Sequence, residues 1–197
     1  MAFTYQNNKT SMQKLMKDLA MRLGALPTLK AKETALRLEI KKVKRVLDGA
    51  EQERKDLLES QKDHYSIWME YPSVLSIKDI IIENRNIAGV IVPLLGKIEF
   101  EVRDFSLFTN RAWIPGGTEV LKKIVELSVR IRLYARQIEI LHQARKKTTQ
   151  KVNLYEKVQI PLFRDSINKI KRFLEDEENL SRSAQKVIKA RREREAS

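Results

Sequence analysis

The side chains able to do chemistry are few and scattered. His64 and His142 are the only histidines, and there is no cysteine. Neither histidine has an Asp or Cys partner at metal-ligand spacing, so both read as packed or solvent-facing imidazoles. The missing cysteines exclude a disulfide framework, a thiolate nucleophile and a Cys-based zinc site, and fit a cytosolic protein. The run Glu175-Asp176-Glu177-Glu178 suggests a cation site, but consecutive helix positions point in different directions, which favours a solvated face or a basic partner. The six glycines, at 24, 49, 89, 96, 116 and 117, nowhere form a Gly-x-x-x-x-Gly-Lys-Ser/Thr loop, so no nucleotide is held in that way. Lys146-Lys147-Thr148-Thr149-Gln150-Lys151 has the composition of an anion patch, yet inside a continuous helix its amides are already bonded. No catalytic residue, metal or cofactor is expected.

Charge is what remains. The net charge is +13, and residues 118–197 hold 20 Lys and Arg against 11 Asp and Glu. The excess gathers toward Lys186, Lys189, Arg191 and Arg192. It is either a solvated helical face or a helix that lies along an acidic or polar partner. Two alternatives share this signal: a coiled-coil arm for nucleic acid and a membrane-surface scaffold. Nucleic-acid readers interleave aromatic and basic residues on one face, whereas Tyr134 and Tyr155 fall on an apolar track, so nucleic acid is not an expected partner. The longest apolar run, Ile87 to Gly96, is about ten residues and contains Pro93, against the ~20 needed to span a bilayer, and Met1 to Thr10 lack the apolar stretch of a signal peptide. Neither secretion nor membrane insertion is expected. Asn8-Lys9-Thr10 and Asn179-Leu180-Ser181 are chance matches to a glycosylation pattern.

The elements that would carry these residues are long. Leu26, Ile40, Leu47 and Trp68 share one seven-residue track, and Leu29, Leu36, Val43, Ala50 and Leu57 share another displaced by three. These are the a and d positions of a coiled-coil seam. Ile124, Ile131, Ile138 and Val152 with Leu127, Tyr134, Leu141 and Tyr155 form a second seam. A sixty-residue helix runs about 90 Å, too long for a compact domain of this size to bury. Packing the two seams on each other is the simplest cover, and the short chain between them makes the pair antiparallel. The expected fold is mainly α: a long antiparallel two-helix left-handed coiled coil with a small central β-hairpin head at one end. Its segments are an N-terminal helix over 1–73, a head over 74–117 and a C-terminal helix over 118–197.

Local signals set the boundaries. Helix one should start near Asn8 to Ser11, kink or break near Gly24 and Pro27, and close at Tyr71 before Pro72. Ile77, Asp79 to Ile82 and Lys97 to Val102 read as strands, with Asn86 to Pro93 between them and Pro115-Gly116-Gly117 as the closing turn. Thr118 should cap the last helix. After Pro161 the seam is better read as Phe163, Ile167, Ile170, Leu174, Glu177, Ser181, Ala184 and Ile188, one residue off the earlier register, which suggests a four-residue insertion in the heptad phase. Pairing Tyr71 with Thr118 and counting outwards sets Pro27 opposite about Leu162, predicting a shared bend.

These residues are similar to a known family. Thr148-Thr149-x-x-Val152-Asn153-x-x-Glu156-x-x-x-Ile160-Pro161, followed by Ile167, Ile170 and Leu174-Glu175-Asp176-Glu177, resembles the C-terminal helix signature of the D subunit of the V-type and A-type rotary ATPases, the central rotor stalk family. Thr28-Leu29-Lys30-Ala31-Lys32-x-x-x-Leu36 and Ile87-Ala88-Gly89-Val90-x-Val92-Pro93 resemble the family's N-terminal and central blocks. The chain departs from the family at Leu154-Tyr155, which are bulkier than usual, and at Glu33, where the family usually has Arg.

The resemblance implies a non-catalytic central rotor shaft on the cytoplasmic face of a membrane complex. Its terminal end would stand inside a hexamer of catalytic (A) and regulatory (B) subunits, with Lys186, Lys189, Arg191 and Arg192 facing the bore. The hairpin end, shaped by Gly89, Val90, Val92 and Pro93, would meet the F subunit and the adaptor (C/d) on the membrane ring. Leu36, Val43, Ile131, Ile138, Val152, Asn153, Glu156 and Pro161 would form the structural seam.

Overall fold

The computed structural model describes residues 5–103 and 113–195; the stretch 104–112 of the expected head lies outside the described residues. The elements are α1 (Lys9–Ser60), a 3-10 turn (Lys62–His64), α2 (Tyr65–Trp68), β1 (Leu75–Ile87), β2 (Val90–Val102), α3 (Ile114–Asn153), a π-helical segment (Leu154–Gln159) and α4 (Ile160–Glu195). Among the described residues the fold is mainly helical, with one two-stranded antiparallel hairpin, as the heptads and the alternating strand implied. Two compact units divide it: Met1–Ala31 with Thr148–Ser197, and Lys32–Lys147.

In the Lys32–Lys147 unit, Leu36, Ile40 and Val43 of α1 are buried with Leu141 of α3 and Val92 of β2. Ile87, Val90, Tyr134, Ile138, Ile140 and Ala144 pack around them. The hairpin is therefore not confined to the end of the helix pair. It folds back along α1 and α3, and its tip becomes the third wall of their core. Gln137 on α3 is buried and donates from Nε2 to the Pro93 carbonyl at 2.5 Å, satisfying two polar groups at this junction.

The strands are longer than the sequence indicated, and Asn86 to Pro93 are themselves strand ends and tip. Ile87 pairs with Val90 across the two-residue turn Ala88-Gly89. Both turn residues have positive φ, 50° and 75°, the geometry of a type I′ turn that matches strand twist. Asn86 Oδ1 accepts from the Gly89 amide at 2.9 Å and fixes the turn.

Two helix boundaries differ from expectation. α1 ends at Ser60, not Tyr71: the Gln61 amide bonds back to Leu58 O at 3.2 Å, tightening the last turn. Trp68, though on the heptad track, instead joins Tyr71 and Trp113 in an aromatic group with ring centroids 5.5 to 5.9 Å apart. α3 begins at Ile114, so Pro115-Gly116-Gly117 form its first turn, where proline is tolerated because that turn's amides have no intrahelical partner. Thr118 is buried inside the helix, not its cap. Its hydroxyl donates to Ile114 O at 2.8 Å and shares a 2.8 Å hydrogen bond with the Tyr71 hydroxyl.

In the other unit Leu15 of α1 is buried with Phe163, Ile167 and Ile170 of α4, flanked by Tyr5, Met12, Leu19 and Leu174. Asn8 caps α1, its Oδ1 accepting from the Ser11 amide at 2.7 Å. α1 is unbroken through Gly24 and Pro27. Lys30 pairs with Glu156 at 2.7 Å and Arg22 with Gln159 at 2.8 Å, so Pro27 lies opposite the π segment and not opposite Leu162.

Candidate functional site

The described residues hold no group of three or more His, Cys, Asp or Glu able to bind a metal, and no helix among them is long and apolar enough to cross a membrane. What the fold presents is surface. Two regions stand out: the terminal part of α4, and the hairpin.

The seam on α4 stops at Leu174. Glu177, Ser181, Ala184 and Ile188, expected to continue it, are exposed, as are Lys186, Lys189, Arg191 and Arg192. The reason is length: α1 starts at Lys9, and its buried and half-buried contacts to α4 reach only Leu174. Beyond that point Leu180, Val187 and Ile188 are 72%, 54% and 53% exposed, an apolar stripe at helical spacing beside the basic residues. A shallow groove of about 390 Å³ lies lower down, lined by Met16, Leu19, Ala20, Leu23, Arg164, Ile167 and Asn168.

At the hairpin the four expected contact residues part company. Val92 is fully buried and Val90 and Pro93 half-buried, Val92 and Val90 packing against the molecule's own helices, while Gly89 is exposed at the turn. The register sets Ile80, Ile82, Ile91, Leu95 and Ile98 on the other face of the sheet from Val92. Ile82 and Ile91 there are 51% and 65% exposed. The outward face thus carries exposed apolar area at Ile82 and Ile91, whereas Val92 has none.

Of the expected seam residues, Leu36 and Val43 are buried and Ile131, Ile138 and Val152 half-buried. Asn153, Glu156 and Pro161 are exposed and do not fill the seam: Asn153 precedes the π segment, Glu156 lies within it and Pro161 follows shortly after it. The profile of the family described as the D subunit of ATP synthase matches residues 11–190. The chain belongs to the ATP synthase D-subunit family. It is 32% identical over 92% of each chain to the V-type ATP synthase D subunit of Borreliella burgdorferi, and 29% identical over 77% of each to that of Chlamydia muridarum. It is also similar, at 27% identity over 57% of this chain and 55% of the other, to the A-type ATP synthase D subunit of Pyrococcus furiosus.

Three charged residues of this D-subunit family chain are not part of the expected site, although their positions mark them. Arg22 continues the track of Leu29 and Leu36 one heptad earlier, Glu33 lies between Leu26 and Ile40 on theirs, and Arg145 lies between Ile138 and Val152. A charge on an apolar track needs a partner or a way out to water. Glu33 accepts from Arg145 Nε at 2.9 Å. Arg22 donates to Gln159 Oε1 and to Asp18 O, and its guanidinium lies 4.5 Å from the centre of the Phe163 ring. Elsewhere, the Lys62 hydrogen bond holds the exposed Glu59 carboxyl below its ordinary range.

Proposed function

We propose that this chain is the central rotor shaft of a V/A-type rotary ATPase, a non-catalytic subunit that carries torque between the catalytic hexamer and ion movement in the membrane ring. Family membership gives the assembly, and one observation carries the mechanical role. α4 continues for some twenty residues past Leu174, its last half-buried seam residue, as a basic helix with an exposed apolar stripe. Such a helix is stable where a surrounding surface covers the stripe, and the bore of the A and B subunits is that surface. Lys186, Lys189, Arg191 and Arg192 line it as mobile charges, and the groove between Met16 and Arg164 adds an apolar contact below them.

The F subunit and the ring adaptor (C/d) take the hairpin side, with Ile82 and Ile91 offering apolar area. The shaft holds no nucleotide. It acts because it is asymmetric: as it turns, it presents a different face to each catalytic site. The complex sits on the cytoplasmic face of the membrane with this chain wholly peripheral. Affinity purification of the tagged chain from native membranes tests the reading. The A, B and F subunits are expected to come with it at fixed stoichiometry, and their absence would overturn it.

A further inference from the structure

We propose that the π segment 154–159 is one residue of slack in the helix, pinned by Arg22, and is the place where the shaft yields first to twist. The sequence carries the first half of the argument. Val152 and Tyr155 sit on the heptad phase of Ile124 to Leu141, whereas Phe163, Ile167, Ile170 and Leu174 each sit one residue later. A single extra residue therefore lies between Tyr155 and Phe163, not the four-residue insertion that the phase alone suggested. The helix absorbs it as one wide turn, in which the Ile160 amide bonds to Tyr155 O, five residues back. Take that residue away and both seams fall on one continuous phase. The packing does not need it.

The wide turn is also poorly tied along its axis. Pro161 follows at once and has no amide to donate, so the turn after the π bond lacks a backbone link as well. Side chains hold it instead. Arg22 touches the insertion at both ends: its guanidinium is 6.0 Å from the Tyr155 ring centre before it and 4.5 Å from that of Phe163 after it, and its Nε donates to Gln159 at 2.8 Å between them. Asp18 anchors Arg22 from the other side, the carbonyl accepting at 2.9 Å and the carboxylate 3.6 Å away. Each residue of helix turns the chain by about 100°, so movement of the extra residue along α4 would rotate the part it passes. Arg22 blocks that movement by gripping residues on both sides. The benefit of such slack, elastic storage of twist in a turning shaft, rests on the rotor reading; the slack itself does not.

Amide hydrogen exchange on the full chain tests it. Amides 155–160 should exchange about tenfold faster than both flanks, 148–152 and 163–170. Deleting Val158, which is half-exposed, should leave the melting temperature equal or higher and bring the remaining amides of 155–160 down to the rate of the flanks. Deleting Asn168 from the regular part of α4 should instead throw Ile170 and Leu174 off the seam and lower the melting temperature. Arg22→Ala should speed exchange at amides 155–160, 162 and 163 by about threefold or more while residues 134–147 keep their rate. Uniform exchange in the parent chain, or equal damage from the two deletions, overturns the proposal. Because every readout is on the isolated chain, a failure here is distinct from a failure to co-purify with the hexamer.

Discussion

Glu33 and Arg145 face each other across the helix pair, Oε1 to Nε at 2.9 Å, each with apolar residues one heptad before and after it and each only partly exposed, at 22% and 35%. The pair replaces a seam contact by a charge contact that exists in one register alone. Shifting α1 against α3 by a heptad would set each charge against a hydrophobic residue, which costs more than the pair itself is worth. It also gives a local reason for the acidic residue at Glu33: its partner is in this chain.

A double-mutant cycle on this pair should return a coupling of about 1 kcal/mol, larger than for an exposed helix pair. Urea titration of Glu33→Ala, Arg145→Ala and the double variant measures it. Exchanging the two, Glu33→Arg with Arg145→Glu, should recover most of the loss; additive losses with no recovery would show that the contact is incidental.

How much of this was legible in the residues follows a physical line. Heptad spacing found Leu36, Val43 and Leu141, since burial on a seam needs only apolar side chains at the right interval. It overran the end of α1 because Trp68 fits the interval, yet the ring is used against Tyr71 and Trp113. Thr118 after two glycines looks like a cap, but its hydroxyl can equally bond back to Ile114 within a helix. The docking of the hairpin along the helices was invisible: Val90 and Val92 are apolar on a strand, and nothing local states which surface covers them. Arg22, Glu33 and Arg145 were readable as charges on apolar tracks, but their partners lie 112 to 137 residues away.

Leu36→Ala and Leu141→Ala should each destabilise the chain by ~2–5 kcal/mol, since both side chains are fully buried in a cluster with little room to collapse. Ile82→Ala, on the open face of the hairpin, should change stability by less than ~0.5 kcal/mol. Denaturant midpoints distinguish the two classes.

At the hairpin turn, Ala88 holds a φ of 50°, a left-handed conformation that costs a side chain with a Cβ about 1 kcal/mol. Ala88→Asn makes the Asn-Gly pair favoured in this turn and should raise stability by roughly 0.5–1 kcal/mol. A lower melting temperature would contradict the turn assignment.

Gly117 admits nothing larger. A Cβ there would stand 2.8 Å from Trp113 Cζ3 and 3.2 Å from Trp68 Cη2. Gly117→Ala should force the two rings apart, at a cost of ~1–3 kcal/mol, and alter the tryptophan fluorescence. Unchanged emission and stability would mean that the rings do not close on this helix turn.

The four terminal cations touch no core, so Lys186→Glu, Lys189→Glu, Arg191→Glu and Arg192→Glu together should leave the melting temperature of the isolated chain within a few degrees. The same variant should assemble poorly with the A and B subunits, or hydrolyse ATP without coupling, as read by co-purification and ion pumping in vesicles. Normal assembly and pumping would remove these residues from the bore contact.

The most direct measurement uses the absence of cysteine. A single cysteine placed at Asn84, on the exposed face of the hairpin, carries a bead while the A and B hexamer is fixed to glass. On adding ATP the bead should turn continuously in one direction, and the rotation should stop when this chain is cross-linked to the hexamer. A bead that stays still while ATP is hydrolysed at the full rate would contradict the rotor assignment.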